Sequence, residues 1–226
     1  MPVLNQRSGD DWVLYHGDSA DVLAEVPEHS VHLLVTSPPF SNVYSYSPSD
    51  RDMGNVKDDR EFFAHMEYLT AQIKRVMVPG RVVAMHCYDI QRYESKHGIR
   101  HRYDFPGDLI RHMAAFDFAH VGRITIDKNP QTQAIRNHPQ ELLFATMRRD
   151  AAKSGVAQAD YVLIFRAPGN NPVPVEAPID EDTWIQWARP VWSDIRETEI
   201  LDTAGSRGTD DERHIAPLQL GVIERC

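Results

Sequence analysis

Two cysteines in 226 residues leave little room for sulfur chemistry. Cys87 lies in an apolar run and Cys226 is the last residue, with no CxxC pair, which argues against a disulfide framework and a cysteine-based zinc site. Long apolar runs are missing as well. Nothing approaches the ~20 residues of a membrane span, and Met1-Pro2-Val3-Leu4-Asn5-Gln6-Arg7 has no apolar core of a secretory signal. A cytoplasmic protein with no membrane partner is expected. Metal-ligand spacing is also scarce. Only His97 and His101 stand four residues apart, and Gly98 between them works against a rigid ligand-bearing helix, so no metal is expected.

Net positive charge is lacking too: the balance is −9, which taken alone counts against a nucleic-acid partner. Its distribution is uneven. Between Gln91 and Lys153 the basic side chains, among them Arg136, Arg148 and Arg149, outnumber the acidic ones by eleven to seven, and five histidines fall there. The acid is concentrated elsewhere, notably from Glu176 to Arg213. A locally basic middle can meet phosphates while the whole molecule stays acidic.

What is present reads as alternating strands and helices. Trp12 to His16 is a short strand ending at Gly17-Asp18, and Ser19 caps a helix to about Val26, closed by Pro27. Val31 to Thr36 is a near-continuous apolar run, as expected of a strand buried on both faces of a parallel sheet, and it stops at Ser37-Pro38-Pro39. Ser41 to Arg60 is polar and aperiodic, too long for an idle connection, and predicts a functional loop or lid. Phe62, Met66, Leu69, Ile73 and Met77 mark a helix from Glu61, which Pro79-Gly80 ends before a strand from Arg81 to Cys87. A helix from Phe105, a strand from Phe118 to Ile126, a helix from Gln140 to Arg149 and a strand from Tyr161 to Phe165 follow. Four prolines make Pro168 to Pro178 an extended linker, Trp184, Trp187 and Trp192 stand in an acidic segment, and a helix begins near Ile215. Three segments are expected: an α/β core over 1–90, the rest of the core with the basic stretch over 91–169, and linker, Trp-bearing segment and final helix over 170–226.

The strand-to-Ser37-Pro38-Pro39-Phe40 junction carries the chemistry. The lone pair of an exocyclic base amine is delocalised into the ring, so methylating it requires acceptors for both amine hydrogens and an aromatic face for a base drawn out of the stack. Ser37 offers a hydroxyl acceptor, and the Ser37 or Pro38 carbonyl a second. Consecutive prolines fix the backbone and cannot donate, and Phe40 offers the stacking face. No strong base is needed in this scheme. The bland alternative is a buried strand ending at a turn.

Val35-Thr36-Ser37-Pro38-Pro39-Phe40 resembles the catalytic motif of the N4-cytosine and N6-adenine DNA amino-methyltransferases, [DNS]PP[YFW]. Tyr15-His16-Gly17-Asp18-Ser19-Ala20-Asp21-Val22-Leu23, Val26-Pro27 and Ser30-Val31-His32-Leu33-Leu34 stand at the family's spacing before it. Lys74 to Arg81, Asp160 to Gly169 and His214-Ile215-Ala216-Pro217-Leu218 resemble its helix-to-strand turn, a later core strand and the start of its cofactor-flanking helix. Catalytic motif first and cofactor segment last is the order of the class called β.

The resemblance implies a Rossmann-like α/β methyltransferase sheet, S-adenosyl-L-methionine as methyl donor, and double-stranded DNA as partner. It places Ser37, Pro38, Pro39 and Phe40 in catalysis, and Asp18, His214 and Pro217 beside the cofactor. Tyr44 and Tyr46 either stack on DNA or pack their own loop, and Asp18 either meets the cofactor adenine or caps a helix. Arg136, Arg148 and Arg149 are candidate phosphate contacts. One departure is large: the family's glycine-bearing FxGxG segment and the ribose-binding acid after it are absent. In the family two strands from that segment lie between the strand leading to Asp18 and the strand leading to Ser37. An incomplete sheet is expected, open to self-association or completion by a second chain. Serine at the first motif position leans toward N4-cytosine, with N6-adenine still open. A non-catalytic methyltransferase-derived module binding DNA or protein is the alternative, and methylation of RNA or of a protein glutamine a weaker one.

Overall fold

The computed structural model describes residues 3–137, 139–201 and 217–226. The chain opens with a strand, β1 (Val3–Ser8), paired antiparallel with β2 (Val13–Gly17). β1 is unannounced in the sequence, since Asn5-Gln6-Arg7 lacks any apolar pattern, yet it is the partner that the Trp12–His16 strand needs. Asp18, not Ser19, caps α1 (Ser19–Ala24), accepting from the Ala20 and Asp21 amides at 3.0 and 3.1 Å.

After β3 (Val31–Thr36) comes the long loop and then α2 (Asp59–Val76), which runs straight into β4 (Met77–Tyr88). Pro79-Gly80 therefore does not separate helix from strand. It bends β4 near its start, with Gly80 at φ +74° and Asn171 packed so close that a side chain there would collide with its backbone. A small ribbon of β5 (Ile90–Arg92) and β6 (His101–Tyr103) flanks the short α3 (Glu94–His97). Next come α4 (Phe105–Ala115), β7 (Ala119–Ile126), α5 (Pro130–Asn137) and α6 (Phe144–Arg149). The helix expected over Gln140–Arg149 is broken at Leu143, whose extended backbone separates a 3₁₀ turn from α6. The order closes with β8 (Asp160–Arg166), α7 (Glu181–Trp187), β9 (Val191–Trp192) and α8 (Leu220–Arg225).

Five strands form one mixed sheet in the order β3-β4-β8-β7-β9. β3 runs parallel to β4 and β9 to β7, while β8 lies antiparallel between β4 and β7. The C-terminal ends of β3, β4 and β7 and the N-terminal start of β8 therefore share one edge. One sheet face, with Val83, Met85, Cys87, Leu163 and Phe165, is covered by Phe62, Met66 and Ile73 of α2 and Phe105, Leu109 and Met113 of α4. The four buried apolar residues of α2 contribute roughly 2 kcal/mol each, against about 1 kcal/mol for its Asp58 cap, so packing holds this helix. The opposite face gathers Ala84, Ile126 and Val162 under Trp192 and Val222.

β3 departs from expectation. None of its residues is fully buried, and His32 and Leu33 are exposed, because among the described residues it pairs only with β4. Trp12, Val13, Leu14 and Tyr15 are 56, 48, 60 and 45% exposed, so this apolar hairpin packs on little of the chain.

The polar loop after β3 has an internal framework. The Asp52 carboxylate accepts from the backbone amides of Tyr46, Ser47 and Gly54 at 2.7, 2.6 and 2.8 Å, and Asn55 donates to the Ser47 and Ser49 carbonyls. Gly54 lies under the Tyr44 carbonyl, where an added Cβ would come to 2.0 Å. Asp52→Ala removes three hydrogen bonds at once. Because the loop is partly exposed, water replaces some of them, and about 1–2 kcal/mol of loop stability is lost. Proteolytic nicking between Tyr44 and Asn55 should rise while the thermal transition of the sheet shifts little; unchanged nicking would contradict this framework.

Candidate functional site

Strand alternation assembles a row of polar residues at the common edge of the sheet. On the face bearing Val35, Ala84, Val162 and Ile126, the next positions toward that edge are Ser37, His86, Asp160 and Lys128. The four side chains join in a line. Ser37 Oγ lies 3.1 Å from His86 Nδ1, His86 Nε2 lies 3.0 Å from Asp160 Oδ2, and Lys128 Nζ lies 2.6 Å from the same carboxylate oxygen. His86 and Asp160 are buried, at 8 and 5% exposure, whereas Ser37 is exposed. The line thus runs from solvent into the sheet.

Its protons can be assigned. A carboxylate only accepts, so His86 Nε2 carries hydrogen and donates to Asp160. In the neutral ring Nδ1 is then bare and accepts the Ser37 hydroxyl hydrogen, which turns the serine's lone pairs outward. Burial alone would raise the Asp160 pKa. The hydrogen bond from His86 and the charge and hydrogen bond of the Lys128 ammonium outweigh it and hold this carboxyl below the ordinary range.

The rest of the tetrapeptide is clamped from behind. Pro38 is buried and Pro39 half-buried. Phe40 is half-buried too, its ring edge-on to Tyr88 at 4.2 Å and 6.0 Å from Phe105, so part of it packs on the core. Ser41 follows at φ +53°, fully buried, its hydroxyl donating to Asp59 Oδ1 at 2.6 Å while Arg92 holds the same carboxylate. A non-glycine residue persists there only because its surroundings over-determine it. Burial pushes the Tyr88 phenol far above its usual pKa, so it stays neutral beside Phe40.

Asp18 stands as the α1 cap, with its second oxygen 3.1 Å from Arg51 Nε, and Arg51 also grips Asp21 through two bonds of 2.8 Å. Arg51 thereby ties the loop to α1. Tyr44 and Tyr46 are partly exposed on that loop, and burial, then Tyr44, raises the Tyr46 pKa. Arg148 and Arg149 are exposed on α6, and Pro217 is half-buried ahead of α8. His214 and the side chain of Arg136 lie outside the described residues. His97 and His101 meet edge-on at 5.9 Å, and among the described residues no three His, Cys, Asp or Glu gather in a metal-holding group.

His86, Asp160 and Lys128 were missed from sequence. The signal was present for two of them: His86 interrupts the apolar Arg81–Cys87 run, and Asp160 opens an apolar strand. A charged or titratable residue on a core strand demands a partner.

No family model matches this chain. The type II methyltransferase M.SfiI of Streptomyces fimbriatus is 32% identical over 74 residues, which is 33% of this chain and 17% of that protein. Among solved structures, TTHA0409 of Thermus thermophilus, provisionally assigned as a DNA modification methylase, superposes in its S-adenosyl-L-methionine complex with a TM-score of 0.63 at 20% identity, over 92% of this chain and 70% of that one. Its selenomethionine derivative gives 0.58 at 21% identity, over 79% of this chain and 65% of that one. The chain therefore has the mixed α/β fold of these methylase structures, and spans only part of the proteins it matches.

Asp160 also has a testable structural role. Replacing it with Asn leaves the Lys128 ammonium, 15% exposed, without its counter-charge, a loss on the scale of about 3–5 kcal/mol for a broken buried pair. The depressed pKa sets the pH dependence. The stabilisation is present above the ordinary carboxylate range and fades as pH falls through the lower folded value. Denaturant unfolding should show a large gap between wild type and Asp160→Asn at neutral pH that narrows in acid; a gap independent of pH would refute the ion pair.

Proposed function

We propose that this chain forms the acceptor side of an S-adenosylmethionine-dependent DNA methyltransferase that modifies an exocyclic base amine, N4 of cytosine or N6 of adenine, after the base leaves the duplex. One observation carries this: an exposed serine hydroxyl, turned into an acceptor by a buried His86–Asp160 pair, stands at the C-terminal edge of the sheet beside two prolines and an aromatic ring. Ligands of open α/β sheets bind at that edge.

In this reading Ser37 Oγ and a carbonyl of Ser37 or Pro38 accept the two amine hydrogens, which favours a localised lone pair on nitrogen. The free part of Phe40 lies against the extruded base. Tyr44 and Tyr46 of the loop and Arg148, Arg149 and Arg136 of the basic stretch approach the DNA, the arginines through phosphates. When bound, the methyl donor would supply the electrophilic carbon.

The described residues do not by themselves seat that donor. Asp18 is engaged by the α1 amides and Arg51, no FxGxG turn lies in the chain, and β3 has an open outer edge among the described residues. Polypeptide beyond these residues, whether more of the same protein, a second copy or another chain, would pair with β3 and β2 and complete the donor site. That incompleteness also favours a second reading, a DNA-binding module without catalysis.

Single-turnover transfer of a labelled methyl group to unmethylated DNA, with the intact protein that carries this chain, separates the two. Ser37→Ala should lower the rate on the order of 10²-fold with DNA affinity nearly unchanged. Phe40→Ala should weaken the grip on an extruded 2-aminopurine by about 1–3 kcal/mol, read from its fluorescence. DNA binding without methyl transfer by the wild type would establish the binding module instead.

A further inference from the structure

We propose that His86, held by Asp160 and Lys128, is a positioning residue and proton outlet for Ser37, so that the exposed serine passes the amine proton inward rather than to bulk water. This rests on the methyl-transfer function proposed above and adds a proton path to it. Direct attack by the amine requires no base to begin, but leaves nitrogen positively charged with a proton to lose. The geometry offers that proton one continuous route.

When the amine nitrogen has formed its new bond to carbon, its N–H proton passes to Ser37 Oγ and the N–H bonding pair stays on nitrogen, restoring the neutral base. In the same motion the Ser37 hydroxyl proton passes to the bare Nδ1 of His86 across the 3.1 Å contact. His86 becomes an imidazolium, its Nε2–H still donated to Asp160. The proton stops there, because Asp160 already shares its Oδ2 with the Lys128 ammonium. The imidazolium later releases the proton outward through Ser37.

Among the described residues, the groups that bond to or pack on the imidazole suit this role. Ser37 approaches from the end of β3, Asp160 from the start of β8, Lys128 from beyond β7 onto the same carboxylate oxygen that His86 meets, and the Phe40 ring stands 6.1 Å away. A purely structural histidine would need only its Asp160 bond; this one also presents its second nitrogen to an exposed hydroxyl. The arrangement is bistable. With His86 neutral, Ser37 donates inward and accepts from the cleft. With His86 protonated, Nδ1 donates to Ser37, occupies a serine lone pair and turns the hydroxyl hydrogen toward the cleft, where it opposes an amine donor.

Two measurements test this. Nitrogen-15 NMR of the His86 ring, in the chain without ligands, should show the Nε2–H tautomer at neutral pH; an Nδ1–H tautomer would overturn the relay, whatever any variant does. The second uses His86→Asn, whose side-chain oxygen can accept from Ser37 but cannot take a proton. In single-turnover transfer by the intact protein on unmethylated DNA, the wild-type rate should fall tenfold per pH unit on the acid side. His86→Asn should lower the neutral rate on the order of 10²-fold and lose that acid limb, with DNA affinity within a few-fold. A variant that keeps both rate and limb, while Ser37→Ala is impaired, defeats the relay alone. Absence of transfer by the wild type defeats the function it rests on.

Discussion

The carboxylate of Asp160 is the point on which the site depends. It is a charge placed almost entirely out of water, which in isolation is unfavourable by several kcal/mol. It persists because His86 and Lys128 reach it from the neighbouring strand β4 and from the chain just beyond β7. That convergence requires β8 to run antiparallel between β4 and β7. Reversed, β8 would bring Arg166 to this edge, and neither His86 nor Lys128 would meet the Asp160 carboxylate. A sheet reversal that could be read as a detail of topology thus decides the electrostatics of the edge.

From that anchor, order passes outward. Asp160 determines which nitrogen of His86 carries hydrogen, and His86 in turn orients the hydroxyl of an exposed serine. The turn that follows is held independently. Ser41, in a left-handed conformation, is bound by Asp59, and Asp59 by Arg92. Ser37 and Phe40 therefore sit on a backbone stiffened by two prolines and secured at both ends. Such pre-organisation favours a group whose task is to hold a reactant in one orientation.

The edge that carries Ser37 and the outer flank at β3 and the β1–β2 hairpin contrast sharply. At the edge below Ser37, titratable and charged side chains meet partners at hydrogen-bonding distance. At the outer edge of β3 and along the β1–β2 hairpin, backbone edges and apolar side chains face outward among the described residues. Unpaired strand edges flanked by exposed Trp12, Leu14 and Leu33 invite further strands.

The sequence by itself determined the local elements and the motif. The apolar run of Val31–Thr36, the three- and four-residue recurrence along α2 and the abrupt stop at Ser37-Pro38 were all legible, because each reflects interactions within a few residues. Boundaries governed by distant partners were not. β1 has no pattern of its own, β3 looked buried though it lies at an edge, and Met77-Val78 joined the strand instead of the helix because β3 pairs there. The same division runs through the site. Alternation assigns His86 and Asp160 to one face of their strands, but they stand 74 positions apart in the chain, and only strand order and direction make them neighbours. A buried ion pair has no signature in local sequence, since its energy comes from a separation of a few ångströms that the tertiary structure alone supplies.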